Sequence, residues 1–228
     1  MPKGGGDKSV KLRGAFIVTM AAFLAAACYG IYEKRTYTDV TRDTSYLETV
    51  YVAEIPENFA LSCCEELEKI LPEAPIVIKV SPVGELEHLA RTSRQRVRVE
   101  AVLQGEGVCE DEEIYLTKTT WNLYPSYMGF AMDRGFVNIM EIGEEYLVFV
   151  GERADGLGEL TPVYELFGET VIAPVFSYRI HENKIIETDG LSTYVPYCEV
   201  AQNEFFAVSQ TAMDAFLSLK REMMKRYG

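Results

Sequence analysis

Polar and apolar positions along the chain fall into distinct regimes. From Gly14 to Tyr32 the sequence GAFIVTMAAFLAAACYGIY carries no charged residue, so a helix built from it is apolar on every side. A hydrocarbon core about 30 Å thick is crossed by roughly 20 such residues, with a usual range down to about 17. The pattern therefore predicts a transmembrane anchor over 14–32, a basic tail over 1–13 and a polar stalk over 33–57.

Residues 58–228 show short periods instead. Over Asn58–Leu71 the apolar Phe59, Leu61, Leu67, Ile70 and Leu71 stand against Glu65, Glu66 and Glu68, which predicts a helix stopped by Pro72 and Pro75. Arg96–Gln104 alternates, with Val97, Val99 and Ala101 on one face and Arg96, Arg98 and Glu100 on the other. Glu113–Thr119 alternates in the same way, with Ile114 and Leu116 against Tyr115 and Thr117. Strands are also predicted over Thr49–Ala53, Ile76–Val83, Glu145–Val150, Thr161–Leu166, Thr170–Arg179 and Ile185–Thr188. A last helix is predicted over Thr211–Arg226: Thr211 and Asp214 form a capping-box pattern, and Ala212, Phe216, Leu219 and Met223 make one apolar stripe. Cys198–Ser209 fits no single period. The fold class is mainly β with flanking helices, α+β.

Charge adds direction. The chain holds 22 basic and 35 acidic residues, a net charge of −13. The tail is basic through Lys3, Lys8, Lys11 and Arg13 against Asp7. The positive-inside bias puts the N-terminus in the cytoplasm and the acidic remainder outside it. So acidic a domain repels nucleic acid, whose phosphates need a basic footprint. A hydrophobic content of 48% excludes disorder. A second reading of the same stretch is cleavage. Leu24-Ala25-Ala26-Ala27-Cys28 resembles a bacterial lipobox whose aliphatic residue stands one position early, with Cys28 the lipidated residue. Both readings place the domain on the same side.

The order of segments also carries a resemblance. IVIKVSPVGE, RVRVEAVLQGEG, EEIYL and IGEEYLVFV follow a short helix in the rhythm strand, strand, glycine turn, strand, insert, strand. This is similar to the netrin-like or tissue-inhibitor-of-metalloproteinases-like modules of bacterial secreted and membrane-anchored proteins, over about residues 60–190. The resemblance implies an OB-type, five-stranded, partly open barrel and an extracytoplasmic location. The inhibitors reach a metal through a Cys-x-Cys at their mature N-terminus. Here Cys63 and Cys64 are adjacent in a predicted helix, so inhibition is not implied.

Outside Cys28 there are four cysteines. An even count in an oxidising compartment allows two disulfides, pairing one of Cys63 and Cys64 with each of Cys109 and Cys198; buried reduced thiols fit equally. Arg91, Arg94, Arg96 and Arg98 form the one basic cluster. It can clamp an anionic polymer or a carboxylate-rich partner, or it is a strand face paired with glutamates. Trp121–Met140 concentrates Trp121, Tyr124, Tyr127 and Phe130 with three methionines, as a partner-binding patch or as a plug in the barrel mouth. No motif or spacing points to a catalytic residue, a metal or a cofactor. The expectation is a single-pass membrane protein whose outer domain binds a protein or envelope polymer. The alternative is a structural subunit of a membrane complex.

Overall fold

The computed structural model describes residues 6–36, 44–53, 56–88, 92–118, 121–126, 129–133, 137–154, 161–187 and 194–228. It divides into two units, Met1–Asp39 and Val40–Gly228. The first is one helix, α1 (Gly6–Thr36). Its described side chains, Phe16–Tyr32, are all exposed, among them Phe16, Ile17, Val18 and Phe23. Among the described residues no helix is long and apolar enough to cross a membrane, so the span expected over 14–32 is not shown. The described apolar run is 17 residues, the lower edge of the range that a bilayer needs.

The second unit is α+β. A short strand, β1 (Val50–Ala53), lies inside the stretch read as stalk and buries Val50 and Val52. Helix α2 (Glu57–Ile70) follows and passes into a 3-10 turn over Leu71–Glu73, where Pro72 stops the α-helix. Then come β2 (Ile76–His88), β3 (Ser93–Gln104) and β4 (Glu113–Lys118). The hairpin β5 (Asn122–Ser126) and β6 (Gly129–Asp133) precedes β7 (Tyr146–Arg153) and β8 (Val163–Leu166). The chain closes with β9 (Val175–Ser177), β10 (Tyr194–Pro196), α3 (Tyr197–Val200) and α4 (Gln210–Tyr227).

Five of these strands form a barrel in the order β2-β3-β4-β8-β7, closed rather than partly open because β7 returns to pair with β2. All pairings are antiparallel except β4 with β8. Closure follows from β2, whose first half pairs β3 on one side and β7 on the other, with Val80 opposite both Val99 and Tyr146. An antiparallel β9 extends the barrel beside β7. Inward positions are those the alternation predicts, Val97 and Val99 with Ile114 and Leu116, while the continuous run Tyr146–Val150 is buried on both faces of its strand. Ile78 and Val148, opposite each other and both at 0% exposure, share one face of the wall, whereas Leu147 and Phe149 take the other face, also at 0% exposure.

The two long helices cover this core. Ala60, Cys63, Cys64 and Leu67 of α2 are buried, as are Ala212, Met213, Phe216, Leu219 and Met223 of α4. Rings continue the contact: Phe205 stacks on Phe216 at 5.2 Å, and Tyr227 meets Phe149 edge-on at 5.5 Å. Each buried phenylalanine is worth about 1.5–3 kcal/mol of transfer free energy. The N-cap of α4 is Ser209, which accepts from the Ala212 N–H at 3.1 Å. Thr211, expected as the cap, lies two residues too late. The turn after β3 is fixed by close approach. Gly105 has φ +91°, and a Cβ there would lie 2.0 Å from the Pro75 carbonyl oxygen. Beside it the Gln104 amide donates to the Ala74 carbonyl at 2.7 Å.

A second sheet, in the order β10-β1-β6-β5, is built from four short strands far apart in sequence. It has its own small core of Val50, Val52, Ile186, Val195, Val200 and Phe206.

Candidate functional site

The arginine cluster lies on the outer face of β3. Arg94 is 9% exposed. Its Nε donates to Glu87 Oε2 at 2.8 Å, and its guanidinium carbon lies 4.0 Å from the centroid of the Tyr115 ring. The Tyr115 hydroxyl completes the triad by donating to Glu87 Oε1 at 2.9 Å. Burial, then the Glu87 carboxylate, raises the Tyr115 pKa. Arg96 and Arg98 share Glu113, at 3.5 and 3.2 Å. These cations are matched by glutamates one strand away, so the face is largely neutralised from within. Arg91 lies outside the described residues.

Trp121 is not on a surface. It is 0% exposed within the barrel core, and its backbone closes the end of the sheet: the Ser93 N–H donates to the Trp121 carbonyl at 2.7 Å. This corrects its assignment to a partner-binding patch. The indole is large and apolar, and burial in the main core removes it from water. Tyr124 belongs to β5 and Phe130 to β6, where Phe130 pairs with Val50 and with Pro125. Tyr127 lies outside the described residues.

All five cysteines are free. Cys63 and Cys64 face the core on α2, whereas Cys109 and Cys198 are exposed. The structure thus has the arrangement of the reduced alternative, with no disulfide between them. Burial raises Cys63 and pushes Cys64 up to about 12, with the charges of Cys63 and Glu68 adding to it. Cys28 lies within α1, which runs on unbroken to Thr36.

The structure assembles a polar cluster that sequence spacing did not reveal. Glu204, 4% exposed, accepts the Ser177 N–H at 2.8 Å and the Lys220 ammonium at 2.5 Å. Lys220 also donates to the Arg179 carbonyl at 2.9 Å. His181 Nε2 lies 3.2 Å from Ser177 Oγ and 3.6 Å from Glu144, with Nδ1 3.2 Å from the Gln202 carbonyl. The two carboxylates are driven apart. Burial raises Glu204 against the pull of Lys220. Burial would also raise Glu144, but the hydrogen bond and charge of Arg179, helped by His181, hold it below the usual carboxylate range. Serine, histidine and unequal carboxylates are the ingredients of acid–base chemistry. Here Ser177 is 0% exposed, and the void beside His181 and Glu204 measures about 10 Å³, hardly room for one water. The cluster binds the barrel, the 178–187 segment and α4 together and leaves no space for a substrate. One signal was legible: Glu204 is a lone acid ahead of Phe205-Phe206-Ala207-Val208, and an acid in an apolar run must find a partner.

Larger openings lie elsewhere on the described surface. A groove of about 710 Å³ runs between α2 and β7–β8, edged by Glu66, Glu73, Glu152, Glu165 and Glu169. Lys118, 2% exposed, stands in its wall and donates to the Gly168 carbonyl at 2.8 Å; burial lowers its pKa. A pocket of about 300 Å³ opens near Leu47, Ile139 and Tyr197. Among the described residues no group of three or more His, Cys, Asp or Glu is arranged to hold a metal ion.

The site and barrel thus define an α+β protein with a closed five-stranded barrel and two covering helices. In comparisons with known proteins, no family model and no curated sequence matches the chain.

Proposed function

We propose that this is a membrane-anchored binding module, with its barrel domain held outside the cytoplasm and its short N-terminus inside. The observation that carries the reading is α1. A helix whose described residues are exposed and apolar on every side, with Phe16, Ile17, Phe23 and Leu24 open to solvent, is stable only in apolar surroundings. The charge-free stretch extends to Gly14 in the sequence, which brings the run within the length of a membrane span. The charge-free run continues past Cys28 to Tyr32, and the aliphatic residue stands one position early for a lipobox, which supports an uncleaved anchor over a lipidated Cys28. For the outer domain, the five-strand order resembles the OB-type barrel of netrin-like modules, whose function lies in surfaces and loops. The Ser177–His181 cluster is filled and offers no place to a reactant, which favours binding over catalysis. A structural subunit held through its C-terminal helix is less well supported, since the apolar stripe of α4 is already buried in its own barrel.

The test uses the exposed thiols. Intact cells making the chain are treated with a membrane-impermeant maleimide, and the labelled sites are mapped by mass. Labelling of Cys109 and Cys198 before lysis, on a membrane-bound chain that retains residues 1–27, is the expected result. Labelling only after lysis, or recovery of the chain in the soluble fraction, would overturn the reading.

A further inference from the structure

The pocket near Leu47 is preorganised and amphipathic. Its apolar walls are Leu47, Ile139, Ile142 and the Tyr197 ring, and its rim carries Glu85 and Glu141. Its volume of about 300 Å³ corresponds to on the order of ten waters, the low end of ligand-pocket sizes. Both walls are pinned from inside the barrel. The fully buried Gln95 amide donates to the Gly84 carbonyl at 3.2 Å and to the Met140 carbonyl at 2.7 Å, the residues next to Glu85 and Glu141. On the far side the Tyr197 hydroxyl donates to Asn138 Oδ1 at 2.9 Å, and the Asn138 amide is held by the Ala201 and Asn203 carbonyls. The Glu141 N–H is held by the Tyr146 hydroxyl at 2.8 Å.

The surface beside the pocket is unusual for an acidic domain. Ile142 is 56% exposed at a turn and Ile180 is 91% exposed. They flank one ion pair, Arg179 with Glu141 at 3.6 Å and with Glu144. An open isoleucine in the pocket wall, with a second next in sequence to the arginine that pairs with Glu141, supplies apolar area beside a charged rim. The rim is net negative: Glu85, Glu141 and Glu144 stand against Arg179, and Glu85 has no ion pair among the described residues.

We infer that this surface docks a basic, amphipathic segment of a partner protein, which sets an aliphatic side chain in the pocket and lysine or arginine beside Glu85. The apolar walls take the aliphatic group, and the uncompensated carboxylate selects the charge. This rests on the reading of the domain as a binding module and names the class of partner. It does not depend on the anchor.

The full chain in detergent micelles is titrated with a fluorescein-labelled peptide of leucine and lysine, followed by anisotropy. Counterparts carry glutamate for each lysine or serine for each leucine. The expected result is binding of the leucine–lysine peptide alone. It weakens about tenfold, or about 1.4 kcal/mol, in an Ile142→Ser/Ile180→Ser variant. Glu85→Lys weakens it and reduces its salt dependence, while Glu110→Lys in the exposed turn after β3 changes neither. Native Trp121 emission in each variant shows that the fold is retained. Equal binding by all variants, equal binding of the acidic peptide, or self-association of the native chain that Ile142→Ser abolishes would overturn the inference. Crosslinking in cells separates its failure from that of the module reading. A partner still captured by the double isoleucine variant removes this surface and keeps the module; the absence of any partner removes both.

Discussion

Lys220 of α4 reaches Glu204 at 2.5 Å and holds the Arg179 carbonyl with the same ammonium group. The pair is buried on both sides, with side-chain exposures of 13% and 3%. Removing one member leaves the other charge without water or partner, a loss of roughly 3–5 kcal/mol. Lys220→Met is therefore expected to lose about 3 kcal/mol, and the double variant Lys220→Met/Glu204→Gln to recover much of it. Urea unfolding of the full chain in micelles, followed by circular dichroism, reads both. A single variant as stable as the native chain would show that the pair does not fasten α4.

The opposed carboxylates set a pH dependence. The Glu144 pKa is lowered on folding, so its contribution is present above the unfolded value of about 4.3 and is lost as pH falls through the folded value. The Glu204 pKa is raised, so its contribution favours the folded state at low pH and declines as pH rises from about 4.3 through its folded value. Glu144→Gln should accordingly be less stable than the native chain at pH 7, by about 1 kcal/mol since Arg179 is exposed. The gap should close in acid. Stability measured from pH 3 to pH 8 checks this, and a gap independent of pH would assign the effect to packing.

Two glycines in one turn separate backbone strain from crowding. Both have positive φ, +91° at Gly105 and +100° at Gly107. A Cβ on Gly107 meets nothing within 4 Å, whereas one on Gly105 collides with Pro75. Gly107→Ala should cost about 1–2 kcal/mol for the left-handed backbone alone. Gly105→Ala should cost clearly more, because β3 and the connector before β2 must part. Equal costs would mean that the turn yields without disturbing Pro75.

The barrel was legible because its code is local. β3 and β4 show strict alternation, and the buried run of β7 is apolar without interruption, so period and composition place them within a few residues. The second sheet was not legible. Its strands are three to five residues long, Pro125 and Gly129 break any alternation in the hairpin, and its partners come from residues 50–53 and 194–196. Thr170–Arg179, read as one strand, contains only Val175–Ser177 in the ladder. The β-branched residues that suggested a strand, Val171 and Ile172, instead pack on the core from an irregular segment. The arginines were placed on the correct face of β3, but only β2 and β4 supply the glutamates that neutralise them. Ser177, His181, Glu144 and Glu204 have no common spacing, so their meeting depends on the fold.

Thiol chemistry distinguishes the cysteines without changing the fold. Burial suppresses Cys63 and takes Cys64 up to about 12, and the thiolate is the reacting form. In a Cys28→Ala background at pH 8, a disulfide reagent should modify Cys109 and Cys198 within minutes. Cys63 and Cys64 should react only when the chain unfolds. Rapid reaction at all four would place α2 off the barrel.

Trp121 offers the most direct check on the insert, since the chain has a single tryptophan. At 0% exposure among core side chains such as Met140 and Val137, its emission should be blue-shifted and barely quenched by acrylamide. Unfolding should shift it red in one step with the loss of β structure. Trp121→Ala would leave a void in the main core and cost about 3–5 kcal/mol, whereas Trp121→Phe should retain most of the stability with a smaller void. Red-shifted, readily quenched emission in the native chain would instead return the indole to the surface. The segment after β4 would then be a contact patch.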